Sequence, residues 1–102
     1  MLLLNDNFSM KANSIYDLFG YELKGLKLIS NEIYEDNRGF FYESWNQQKF
    51  DEILDMSIIF KQDNHSKSSK GVLRGLHYQL PPFEQGKLVR CTRGKIFDIA
   101  VD

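Results

Sequence analysis

A histidine set among cations and neutral amides is equipped to take a proton from a carbon beside a carbonyl, on an anionic substrate. The stretch from Lys61 to Gln79 (KQDNHSKSSKGVLRGLHYQ) holds such a set. A histidine with its ordinary pKa of about 6.5 changes charge where a general base must work, which makes His77 the candidate base. Arg74 presents a planar fork suited to phosphate or carboxylate. Lys87, in QGKLVRC, supplies a point charge for a developing enolate oxygen. Gln62 and Asn64 share one strand face and offer amide hydrogen bonds to a base or sugar. A plainer reading stands beside each assignment: a histidine held by one hydrogen bond, a solvated arginine and lysine, ordinary strand-end amides. Their clustering favours chemistry.

Other chemistries fit less well. His65 and His77 lie twelve residues apart, with no His-x-His pair and no glutamate at ligand spacing, so a metal site is disfavoured. No serine sits on a nucleophile-elbow pattern. Phosphate-loop and dinucleotide glycine motifs are absent. Cys91 is the only cysteine, so no intrachain disulfide forms, which fits a reducing compartment. Its place in an apolar run reads as a small buried hydrophobe.

The elements that must position these residues are mostly β. Strand-like runs cover 21–34, 40–45, 57–62, 72–80, 87–92 and 95–101, separated by turn residues. Asp36-Asn37-Arg38-Gly39 signals a turn. Asn46 caps a helix through about Met56, with Phe50, Ile53 and Leu54 at i, i+3, i+4 facing a core. Residues 66–71 form a polar loop. Pro81-Pro82 ends the run before it, since proline cannot donate to a central ladder. Arg93-Gly94 sets a hairpin between the last two runs. Residues 1–13 read as a weakly ordered polar tail, and Ser14–Phe19 as one helical turn stopped by Gly20. Strict alternation puts Arg74 and His77 on opposite faces; a bulge at Gly75 would reunite them. Six strands and a short helix predict a sandwich or barrel.

Length and composition narrow the class. One domain is expected from 102 residues, with a globular balance of 42% hydrophobic and 26% charged residues. A net charge of −1 gives no electrostatic case for nucleic acid or an acidic membrane. Met1–Leu4 lacks the basic start and apolar length of a signal peptide, and no stretch approaches a membrane span. A cytoplasmic location is the expectation. The last run, KIFDIAVD, alternates cleanly and stops in mid-strand, the mark of an exposed edge.

Five motifs in order resemble the N-terminal half of the dTDP-4-dehydrorhamnose 3,5-epimerase family. They are DNRGFFYESWN at 36–46, QDNHS at 62–66, KGVLRGLHYQ at 70–79, QGKLVRC at 85–91 and GKIFDIAVD at 94–102. The resemblance divides the chain into an extension at 1–25 and, at 26–102, the N-terminal part of a cupin-like epimerase domain. It implies a double-stranded β-helix (jelly-roll) barrel, incomplete at its C-terminal end, and a homodimer. It implies a dTDP-4-dehydro-6-deoxy-hexose substrate, no cofactor, and a product used for dTDP-L-rhamnose. Carried over by motif, His77 is the base at C3 and C5 and Lys87 sits by the sugar oxygen. Arg74 binds substrate, Gln62, Asp63 and Asn64 bind the nucleotide, and so do Arg38 and Glu43 across the dimer interface. The family's proton-donating tyrosine and the carboxylate that orients its histidine lie in its second half, without counterparts in these motifs. The alternative expectation is therefore a catalytically incomplete cupin fragment acting as a dTDP-sugar binding module.

Overall fold

A computed structural model describes residues 9–101. The expectation of a hydrophobic start without signal character, at 1–4, lies outside the described residues. The chain divides into two compact units between Asp63 and Asn64.

The first unit begins with two long antiparallel strands, β1 (Met10–Tyr16) and β2 (Glu22–Asn31). Their register pairs Met10 with Asn31, Ala12 with Ile29 and Ser14 with Lys27. Strand β1 therefore replaces both the tail expected over 10–13 and the helical turn expected from Ser14. The reason is visible at Asp17. Its Oδ1 accepts from the backbone N–H of Phe19 and of Tyr21, each at 2.8 Å. That side chain holds a chain reversal closed by Gly20 at φ +86°, and no helix follows. An aspartate that bonds nearby backbone serves a turn as readily as a helix start.

The β1–β2 pairing is irregular between Ser14 and Tyr16, because Tyr16 opposes Glu22. Strand β2 takes up the extra residues around Gly25, at φ +80°. The half-buried apolar positions consequently fall at Leu23, Leu26 and Ile29, while Leu28 faces outward. A cross-strand cluster sits beside the bulge. Ser14 Oγ donates to Glu22 Oε1 at 2.5 Å, and Lys27 Nζ donates to Ser14 Oγ at 2.8 Å.

The second sheet is a short hairpin, β3 (Tyr34–Asp36) with β4 (Gly39–Phe41). Asp36 pairs with Gly39 around the two-residue loop Asn37-Arg38, where the turn was expected. Strand β4 ends at Phe41, short of the run expected to Trp45. There the chain turns off, and Glu43 O accepts from Asn31 Nδ2 at 2.5 Å.

Helix α1 (Gln47–Leu54) follows, capped as its sequence predicts: Asn46 Oδ1 accepts from Lys49 N at 3.0 Å. It stops at Asp55, which takes φ +52°. Helix α1 packs against β1. The buried apolar side chains among the described residues are Met10 on β1 and Phe50 on α1. Phe50 also lies 4.2 Å, ring to ring, from Trp45, and Phe60 meets Trp45 edge-on at 5.2 Å.

Residues 57–62 form no strand. Helix side chains take up the backbone of Ile58: Gln47 Nε2 donates to Ile58 O at 2.8 Å, and Ile58 N donates to Asp51 Oδ1 at 3.4 Å. The runs at 72–80, 87–92 and 95–101 are likewise not strands among the described residues. A strand's hydrogen bonds all go to a neighbour, and alternation specifies a face without supplying that neighbour. The described architecture is thus mostly β, with two two-stranded antiparallel sheets and one short helix. It has four strands rather than six. Among the described residues, no helix is long and apolar enough to cross a membrane.

Candidate functional site

Arg38 stands at the tip of the β3–β4 hairpin because the two-residue loop needs Asp36 and Gly39 opposite each other. Asp36 Oδ1 accepts from Arg38 N at 2.8 Å, and Asp36 Oδ2 accepts from Arg38 Nε at 3.0 Å. These bonds hold the Asp36 carboxyl below its usual range and push the guanidinium further up. The side chain is 86% exposed, so an anion can approach its remaining donors.

Glu43 lies between β4 and α1 and is half-buried. Lys49 Nζ is 3.1 Å from its Oε1, and Asn46 Nδ2 donates to its Oε2 at 3.3 Å. The carboxylate thus ties the helix cap to the helix's first turn. Any ligand drawing on it shares it with Lys49. Gln62 and Asp63 stand exposed at the end of the first unit.

Asn64, Arg74, His77 and Lys87 belong to the second unit, and all four are exposed. Arg74 closes its own loop: Nε donates to Ser68 Oγ at 2.9 Å and Nη2 to Lys67 O at 3.1 Å. The backbone turns at Ser69, whose carbonyl accepts from Val72 N at 3.3 Å. Gly71, at φ +85°, permits that turn. Gly75 carries φ +139°, so regular alternation breaks between Arg74 and His77, but no paired strand and hence no bulge is formed there. Cys91, expected to be buried, is exposed, and its Sγ donates to Arg93 O at 3.4 Å. It sits in an unpaired run with nothing packed over it.

The electrostatics of the two units differ. Residues 1–63 contain six Lys or Arg and eleven Asp or Glu, whereas 64–102 contain seven and three. From Asn64 to Lys95 the only carboxylate is Glu84. A cationic stretch carrying a histidine and amides can attract an anion and stabilise negative charge that develops on it. Among the described residues, no group of three or more His, Cys, Asp or Glu is arranged to hold a metal.

The partners of the candidate residues were not singled out from the sequence. Asp36 was legible in principle, as a carboxylate two residues from an arginine in a turn. Ser68 and Lys49 carried no such signal, because their roles depend on how the loop and helix close.

Residues 20–102 match the family profile described as dTDP-4-dehydrorhamnose 3,5-epimerase. The chain is similar to proteins of that name from several organisms. It is 56% identical to the one from Shigella flexneri over 81 residues, which is 79% of this chain and 45% of that protein. For Escherichia coli (strain K12) the identity is 53% over 81 residues, covering 79% and 44%. For Methanothermobacter thermautotrophicus it is 51% over 80 residues, covering 78% and 42%. The chain spans less than half the length of these relatives. No solved structure matches it.

Proposed function

The chain belongs to the dTDP-4-dehydrorhamnose 3,5-epimerase family, and from that membership we propose that it serves the epimerisation of a dTDP-4-keto-6-deoxyhexose at C3 and C5. The observation that carries this reading is the match over 20–102, which contains all eight candidate residues. The C4 carbonyl acidifies the hydrogens on both flanking carbons. His77 removes them as general base, and inversion is completed when each carbon takes a proton from an acid on the opposite face. Lys87 stabilises the enolate oxygen formed at C4. Arg74 grips the diphosphate. Gln62, Asp63 and Asn64 hold the nucleotide, with Arg38 and Glu43 completing that contact across a homodimer interface. Proton removal beside a ketone calls for no redox partner, so the reaction as proposed needs no cofactor.

In this reading residues 26–102 form the N-terminal part of a cupin-type barrel, and residues 1–25 an extension whose strand β1 is added to β2. The proposed setting is the cytoplasm, where the product feeds dTDP-L-rhamnose synthesis. A second reading is favoured by the exposure of His77 on an unpaired segment: the chain by itself binds a dTDP-sugar without turning it over.

Exchange of the C3 and C5 hydrogens in heavy water tests both. Exchange with net epimerisation supports the first reading. Binding with neither exchange nor epimerisation supports the second. Exchange that survives His77→Asn would sink the assignment of the base.

A further inference from the structure

The place of Glu43, a proposed nucleotide contact, is set from two directions. Its carboxylate is held from the helix side, by Lys49 Nζ 3.1 Å from Oε1 and Asn46 Nδ2 3.3 Å from Oε2. Those two contacts leave open where the backbone beneath the side chain sits. Residues 42–46 belong to neither strand nor helix, so no ladder fixes it. The sheet supplies the missing hold. Asn31, the last residue of β2, donates from Nδ2 to Glu43 O at 2.5 Å. A side-chain amide donating to a peptide carbonyl does there what a neighbouring strand would do.

Asn31 is itself clamped. It pairs with Met10 at the start of β1, and beside it Glu32 N donates to Ser9 O at 2.9 Å. Directly opposed residues share a sheet face. Met10 is buried, Asn31 is half-buried, and α1 packs against β1. Ser9 and Met10 precede the family match, which begins at residue 20.

We infer that Asn31 is the positioning residue for Glu43, and that β1, from outside the family match, holds Asn31 to that task. The inference rests on the proposed role of Glu43 and deepens it, by naming what fixes the reach of that carboxylate. Asn31 touches no substrate in this scheme. Losing its bond leaves Glu43 attached to α1 alone.

The test uses the full chain, isotopically labelled, with dTDP as the probe. In Asn31→Ala the carbonyl and carboxyl carbon resonances of Glu43 should move, and amide exchange over 42–46 should quicken about tenfold. Asn31→Asp keeps the shape, loses the donor at neutral pH and should do the same. Ser30→Ala, one residue away on the opposite face, should leave Glu43 where it is. Asn31→Ala should weaken dTDP binding about tenfold, as Glu43→Gln does, and in the double variant the two losses should not add. A residue that merely supports the fold would add its loss to that of Glu43→Gln, and that result would overturn the inference. So would Glu43 resonances that stay in place in both Asn31 variants. Moved resonances, with dTDP binding absent or indifferent to Glu43→Gln, would instead overturn the nucleotide contact and leave the anchoring standing.

Discussion

Residues 9–63 are knitted together by carboxylates that bond backbone and side chains, whereas few such bonds are made among the described residues 65–101. In the first unit Asp17 holds a turn, Asp36 an arginine, Glu43 a lysine and a helix cap, and Asp51 the chain after the helix. The second unit holds two backbone turns, the Arg74 loop and a contact from Cys91 to Arg93. The first is rich in acids and the second in bases. The proposed base, its enolate-stabilising lysine and the Arg74 anion clamp all lie in the less self-sufficient unit. Local chemistry such as caps, Asx turns and short hairpins is enough to organise the first. The second awaits non-local pairing, which no local signal can supply.

The largest effect expected is at His77. His77→Asn should lower C3 and C5 hydrogen exchange by about 10²–10⁴-fold while leaving the first unit's far-UV circular dichroism unchanged. Next comes Phe50→Ala, which removes the buried ring between α1 and the β sheet. It should destabilise the first unit by about 3–5 kcal/mol in urea titration, with amide exchange at 72–101 unaltered. A parallel change in both units would erase the contrast between them. Asn46→Ala removes the helix cap and should cost about 1 kcal/mol by the same titration.

The smallest effect is electrostatic. The Arg38 guanidinium and then its backbone N–H hold Asp36 below the ordinary carboxylate range. A carboxylate depressed on folding adds stability above its unfolded pKa and loses it as pH falls through the folded value. The hairpin tip should therefore keep its shape at neutral pH and loosen only below about pH 4. Carboxyl chemical shifts across an acid titration would show this, and Arg38→Ala should return the Asp36 midpoint towards the unperturbed value. Because the pair is exposed, moderate salt should shrink the shift.

Helix α1 and the β3–β4 turn were legible because their signals are local: Asn46 before Phe50, Ile53 and Leu54, and Asp36 to Gly39. The misreadings have specific causes. Ser14–Phe19 looked helical because Asp17 and Gly20 suit a helix end and a tight turn alike, and the competitor was a long partner strand. Residues 57–62 looked like a strand until Gln47 and Asp51 claimed Ile58's backbone. The alternation at 95–101 is real, but it names a face and not a neighbour. Every candidate residue was readable by type, and the family match encloses all of them. What stayed hidden was their upkeep: Lys49 for Glu43, and Ser68 for Arg74.

Trp45, wedged against Phe50 and Phe60, is the only tryptophan in the chain. As a spectroscopic witness it is one-sided. Indole emission reports on the packing of residues 9–63, whereas the proposed base lies in the other unit. A melting curve drawn from it describes that packing alone, and a chain judged sound by its fluorescence needs a separate probe for the histidine segment.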